Sequence, residues 1–182
     1  MDNSCFGRKT RLSGLQRAGM TGLWIDSIAF DEMLGEARRA YPLETGGVLA
    51  GYIAGNGDPV VQHLIGPGPN AQHKRQRFHP DHDWQCRRLD EIFEMSSGQT
   101  VYLGDWHTHP DGSPHMSWLD KRTLRGIARH RDAAVARPIM MIGAGGAERW
   151  TWQVHRYSGD RMVGLSISVD VLELRPFGHE DV

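Results

Sequence analysis

Residues 104–120 read GDWHTHPDGSPHMSWLD, and the rest of the chain is best understood outward from this stretch. Thr100 to His107 is dense in apolar and aromatic residues and reads as a strand. Side chains alternate along a strand with period two, so His107 and His109 project from one face at its end, close enough for both imidazoles to reach one ion. Pro110 to Met116 is a polar loop, and Ser117 opens a basic helix ending near His130. A third ligand can come from that helix, with Ser117 at its N-cap and Asp120 one turn on.

Ser-x-x-Asp is also a capping-box pattern, and a cap alone accounts for both residues. Yet Ser117, Asp120, Leu124 and Ile127 fall on one helical stripe whose lower half faces the core, so Asp120 points inward. An inward carboxylate is costly unless it is paired or bound to a metal. Two histidines and one carboxylate make an open three-ligand set, the kind that catalytic zinc sites use while keeping a fourth position for water. Such a site needs a general base. Glu44, in the sequence LETGG, is the candidate; on its own it reads as a solvated glutamate at a helix-to-strand junction.

Upstream, Leu23 to Ile25 reads as a short strand, and Asp26 or Ser27 caps a helix with an apolar stripe through Phe30, Met33, Leu34, Ala37 and Tyr41, ended by Pro42. Thr45 to Ala54 and Val60 to Ile65 form a hairpin across a turn at Gly55 to Asp58, and GPGPN (66–70) is loop. Phe78 lies in a short extended piece, and Asp81 or Asp83 caps a helix reaching Met95. Downstream, Pro138 to Ile142 is a short buried strand, Trp150 to Tyr157 another, and Met162 to Leu172 its partner after a turn at Ser158 to Arg161. The pattern predicts a mixed sheet with three helices in one α/β (α+β) domain. The 182 residues suit one domain, and a hydrophobic content of 39% is enough for a core.

Twenty-one basic against 22 acidic side chains leave a net charge of -1. That does not advertise a nucleic-acid partner, which would need a basic surplus. No apolar run reaches the length of a membrane span. The basic stretch 1–21, with Arg8, Lys9, Arg11 and Arg17, lacks the apolar segment of a signal peptide and reads as a flexible arm; 176–182 reads as a tail. Cys5 and Cys86 are the only cysteines, with no CxxC spacing, which argues against a disulfide scaffold or cysteine knuckle and for a cytoplasmic protein. Cys86, Leu89 and Phe93 share one helix face, so Cys86 reads as a buried core thiol.

Glu44, His107-x-His109, seven residues, Ser117, two residues and Asp120, in the contexts ETGG and GDWHTHP, resemble the JAMM (MPN+) metalloprotease signature without gap or substitution. The resemblance covers Leu23 to Arg175, so residues 22–175 are expected to be the catalytic domain, in the cytidine-deaminase-like MPN/JAB fold with a curved mixed sheet. GPGPNA before Phe78-x-Pro80-Asp81 is similar to the bacterial JAB-type deconjugating proteases found with ubiquitin-like conjugation enzymes in antiphage (CBASS) and mobile-element operons. The resemblance implies a zinc isopeptidase or peptidase acting at the C-terminal tail of a ubiquitin-like protein. His107, His109 and Asp120 would hold Zn²⁺, Glu44 would be the general base, and Ser117 would donate to the oxyanion. The loops Pro67 to Arg77 and Pro110 to Met116 would wall the substrate groove. Operon-encoded conjugation enzymes are further implied partners.

Asp105 shares the strand face of the histidines and could orient an imidazole, or simply be solvated or capping; Trp106 faces the core. His79, Asp81, His82 and Asp83 could form a second metal site, but helix caps and surface histidines also explain them. His115 is expected in solvent, and Lys121, Arg122, Arg125, Arg129 and Arg131 on a solvated helix face. His107-x-His109-x-Asp111 imitates a metallo-β-lactamase box, yet position 112 is Gly. A barrel amidohydrolase would need about 250 residues, and a cupin would need a glutamate soon after the histidines. Two alternatives remain. A RadC-like DNA-associated protein shares the ligand spacing but resembles HNHPSG where this chain has HTHPDG. A JAB hydrolase acting on sulfur-carrier conjugates would use the same chemistry.

Overall fold

The computed structural model describes residues 21–130, 133–160 and 167–178. In chain order these form strand β1 (Gly22–Asp26), helix α1 (Ser27–Ala40), β2 (Gly46–Ile53), β3 (Pro59–Ile65), β4 (Gln72–Lys74), β5 (Arg77–His79), α2 (His82–Met95), β6 (Val101–Pro110), α3 (Trp118–Arg129), β7 (Ile139–Gly145), β8 (Trp150–Asp160) and β9 (Ile167–Phe177). Parallel and antiparallel pairings combine into one curved sheet ordered β1-β3-β2-β6-β7-β8-β9, which β1 closes into a barrel by pairing with both β3 and β9. The expected mixed sheet with three helices is thus present. β4 and β5 stand apart as a small hairpin.

β7 is buried on both faces, and its alternation sorts the core. Ile139 and Met141 join Leu49, Val61, Trp106 and the α1 residue Met33, whereas Met140 and Ile142 join Leu124 of α3. Each such fully buried side chain contributes about 1.5–3 kcal/mol relative to exposure. β6 runs parallel to β7 with Trp106 opposite Met141 and His107 opposite Ile142. Trp106 therefore enters the larger core, as its sequence position suggests, and is 1% exposed. The two histidines are left on the face that α3 covers.

The two glycines of ETGG are required by close approach. β2 lies between β3 and β6, and a Cβ at Gly47 would stand 1.9 Å from the Ile65 carbonyl oxygen; one at Gly46 would stand 2.4 Å from that of Trp106. Only glycine lets the strand begin there. Asp26, Asp81 and Ser117 cap α1, α2 and α3 respectively.

Several expectations are corrected. Cys86 is exposed, and Phe93 is 48% exposed. The buried position of α2 belongs to Gln85, whose amide donates to the Gly66 carbonyl at 2.8 Å. A polar side chain with one good acceptor thus turns the helix away from its apparent apolar stripe. Tyr41 is the C-cap of α1 rather than part of its stripe. β6 continues through the second histidine to Pro110 because Gly104 to Pro110 pair with β7, and β7 is longer than expected for the same reason. The β4/β5 hairpin lies where only loop and one extended piece were expected. β9 extends to Phe177 because Pro176 and Phe177 pair with Ile25 and Asp26, so the tail begins later than residue 176. Residues 1–20, which hold Cys5 and nearly all of the expected arm, lie outside the described residues. So do Arg131, 179–182, and 161–166 with the end of the expected turn and the start of the last strand.

Candidate metal centre and cleft

His107, His109 and Asp120 come together as the sequence spacing suggests, with ligand atoms all within 4.8 Å of one another. The two Nε2 atoms are 3.0 Å apart, His107 Nε2 is 3.3 Å from Asp120 Oδ1, and His109 Nε2 is 3.6 Å from Asp120 Oδ2. Donor atoms at about 2.0–2.1 Å from a tetrahedral ion are separated by about 3.3 Å; each imidazole nitrogen lies at about this distance from the other and from one Asp120 oxygen, the two Asp120 contacts being made by different oxygens. The protonation pattern agrees. His109 Nδ1 lies 3.0 Å from the Ser113 carbonyl, which can only accept, so Nδ1 carries the hydrogen and Nε2 presents a lone pair to the centre. Burial, followed by the His107 charge, holds the His109 pKa below its ordinary value.

Asp120 is buried, and the capping box is present too: its backbone amide donates to Ser117 Oγ at 3.2 Å, and Ser117 N donates to Asp120 Oδ2 at 2.6 Å. Cap and inward carboxylate are therefore one arrangement. The helix N-terminus aims the carboxylate at the histidines. Burial pushes its pKa upward, but hydrogen bonds from His107 and Ser117 and the His107 charge outweigh it and hold the group well below the carboxylate range. Ser117 Oγ accepts from the Asp120 amide, its side chain also bonds the Asp120 carboxylate, and the residue borders the cleft.

Glu44 stands on the opposite wall, fixed through its main chain. Its amide donates to the Lys74 carbonyl at 2.8 Å, and its carbonyl accepts from His73 Nδ1 at 2.9 Å. The next residue, Thr45, is bound to Thr108, between the two histidines, through Thr45 N to Thr108 Oγ1 and Thr108 N to the Thr45 carbonyl, both 2.9 Å. Burial raises the Glu44 pKa to about 6, with His107 lowering and Asp120 raising it further. Glu44, His109 and Ser117 open into one cleft of about 610 Å³. Arg75 and Gln76 from one expected groove loop, and Asp111 and Met116 from the other, line it as well.

A domain family described as prokaryotic homologues of the JAB domain matches residues 26–155. The chain belongs to this family. Among curated relatives of this JAB domain, the probable metalloprotease y4qB of Sinorhizobium fredii is 38% identical over 129 residues, covering 70% of this chain and 79% of that protein. A CD-NTase/cGAS isopeptidase of Escherichia coli is 32% identical, covering 59% and 65%, and one of Vibrio cholerae is 37% identical, covering 45% and 52%. Protein DSY2949 from Desulfitobacterium hafniense shares the fold, with a TM-score of 0.60 at 22% identity over 88% of this chain and 94% of that one. The chain is thus a JAMM-type metallohydrolase, and the JAB domain implies a metal ion. The donor set fits one: two imidazoles and a carboxylate whose ligand atoms lie within 4.8 Å of one another, with one histidine already held in the ligating tautomer.

Around the centre of this JAB domain, Asp105 does not orient an imidazole. It accepts from Tyr102 Oη at 2.8 Å, and among the described residues it has no hydrogen bond to either histidine. Burial raises its pKa, against the pull of Tyr102, His107 and His82. For His109 the orienting partner is the Ser113 carbonyl. Among the described residues no second metal cluster forms from His79, Asp81, His82 and Asp83; Asp81 caps α2 and also accepts from Asn70. His115 is exposed and meets Gln153. Arg125 and Arg129 pair with Asp160, and Arg122 lies over Trp118. The sequence reading missed His73, Thr108 and His155. Thr108 was within reach, since the residue between two ligands on a strand must face the core. His73 and His155 carry no local signal because their partners are backbone carbonyls distant in sequence. Among the described residues no helix is long and apolar enough to cross a membrane.

Proposed function

We propose that the chain is a zinc isopeptidase or peptidase that cuts after the C-terminal tail of a ubiquitin-like protein, releasing it from a conjugate or maturing its precursor in a bacterial antiphage setting. The observation that carries this reading is the facing pair of walls: His107, His109 and Asp120 on one side, and Glu44 with a pKa raised to about 6 on the other. The relatives named CD-NTase/cGAS isopeptidase support a protein conjugate as substrate. Their name also makes a nucleotidyltransferase of that type a candidate conjugated partner.

His107, His109 and Asp120 would hold the zinc. When bound, the ion supplies Lewis acidity, bringing the pKa of water from about 15.7 to about 7 and polarising the scissile carbonyl. Glu44 takes the proton from the attacking water and delivers it to the leaving amine as the C–N bond breaks, a transfer suited to a carboxylate whose pKa is close to working pH. The Ser117 hydroxyl donates to the oxygen on which negative charge develops. The two loops lining the cleft leave room for an extended tail, which can bind by adding main-chain hydrogen bonds.

The test is to measure zinc content and to incubate the protein with a ubiquitin-like fusion encoded beside its gene. Stoichiometric zinc with cleavage after the terminal residue of the ubiquitin-like domain, lost in Glu44→Ala with zinc retained, is the expected result. A His107→Ala variant that kept both zinc and activity would refute the assignment.

A further inference from the structure

Between Gly112 and Ser117 the chain borders the cleft without a ladder to support it. Among the described residues, 113–116 make no backbone–backbone hydrogen bond. Side chains hold the segment instead. His109 Nδ1 donates to the Ser113 carbonyl, His155 Nε2 reaches the Pro114 carbonyl at 3.0 Å, and His115 Nδ1 meets Gln153 Oε1 at 3.2 Å. Gln153 and His155 are two residues apart on β8, so they leave the same face of that strand. β8 is paired on one edge by β7 and on the other by β9, which makes it a firm support.

His155 is a costly residue to keep for packing alone. It is 4% exposed. The Pro114 carbonyl can only accept, so Nε2 carries the hydrogen, and Nδ1 is left as a buried acceptor with no partner among the described residues. An apolar side chain of similar size would remove the unpaired Nδ1 but would leave the Pro114 carbonyl without its side-chain donor. Burial also holds the His155 pKa below its ordinary value, which keeps the ring in this neutral form.

We propose that His155 is a positioning residue for Ser117: by fixing the Pro114 carbonyl three residues earlier, it sets where the Ser117 hydroxyl stands over the cleft. The assignment rests on Ser117 acting as the oxyanion donor. Its local structural content can be tested without activity, because the Asp120 amide donates to Ser117 Oγ and reports the placement of that side chain.

The experiment compares His155→Leu, which removes the donor, with His155→Gln, which keeps an N–H at a similar reach. In His155→Leu, amide hydrogen exchange at Asp120 is expected to accelerate at least tenfold, with the Leu124 amide of the same helix unchanged as the control for folding. For conjugate cleavage, kcat is expected to fall at least tenfold with KM and zinc content within twofold of the parent. His155→Gln should restore both readouts to within threefold, and in a Ser117→Ala background His155→Leu should cost less than twofold. Unchanged Asp120 exchange, an equal loss in both backgrounds, or a Gln variant no better than Leu would overturn the proposal. If Leu at 155 also exposes the Leu124 amide, the Gln variant decides alone, and a tenfold loss there overturns it. If the parent cleaves no conjugate while the exchange pattern is as expected, the proposed activity fails and the positioning role stands.

Discussion

Asp120 and Glu44 are both partly buried carboxylates beside the same histidine pair, and their surroundings drive them apart. Burial pushes each upward. For Asp120, His107 at 3.3 Å and the Ser117 amide at 2.6 Å more than reverse that push. No hydrogen bond among the described residues reaches the Glu44 carboxylate, and its pKa rises to about 6. The origin of each residue explains the contrast: Asp120 sits in the first turn of a helix, where unpaired amides favour negative charge, whereas Glu44 ends a junction tied down by its main chain alone. One group is held charged and in place. The other is left able to exchange a proton, and pairs of carboxylates separated in this way divide the work of catalysis.

The largest effect should come from removing the fixed partner. Asp120→Ala takes away a donor atom and the carboxylate half of the capping box together, so zinc affinity, measured by competition with a chelator, should fall well beyond the roughly 10- to 100-fold typical of losing an outer hydrogen-bond partner. Excess zinc should then no longer raise Tm, whereas in the parent it should add about 2.7 kcal/mol at a hundred times Kd. Glu44→Gln removes the proposed proton carrier and leaves the trio intact. Turnover should drop about 10²- to 10⁴-fold with zinc content unchanged; zinc loss in this variant would erase the distinction between the two carboxylates.

A smaller loss, about 10²- to 10³-fold in kcat, is expected for Ser117→Ala with zinc retained. The least change, and the sharpest check on Glu44, concerns stability of the metal-free protein. Its folded pKa of about 6 lies above the ordinary 4.5, so the ionised form destabilises the fold above pH 6 and costs nothing once both states are protonated below about 4.5. Glu44→Gln should therefore stabilise the metal-free protein by at most about 1 kcal/mol at pH 7.5, allowing for solvent screening of a half-exposed group. The gain should vanish by pH 4 in urea titrations, and a gain that grows on acidification would show the sign to be wrong.

The trio was legible in the sequence because two local periods place it: two residues along a strand for His107 and His109, and one helical turn from Ser117 to Asp120. The same logic put Trp106 in the core. It failed for α2, where Cys86, Leu89 and Phe93 look like a buried stripe but Gln85 finds the Gly66 carbonyl and turns inward. It also missed the β4/β5 hairpin, whose three-residue strands are too short to show alternation.

What the sequence determined by itself is the chemistry available and the local geometry of one wall of the cleft, since both follow from spacing within a strand and a helical turn. Only the tertiary structure decided that Glu44 faces that wall, that its carboxylate lacks hydrogen bonds among the described residues, and that His155 lies beneath the loop leading to Ser117. Those facts depend on pairing between β2 and β6 and between β7 and β8. Contacts made to backbone carbonyls far along the chain leave no pattern in the residues nearby.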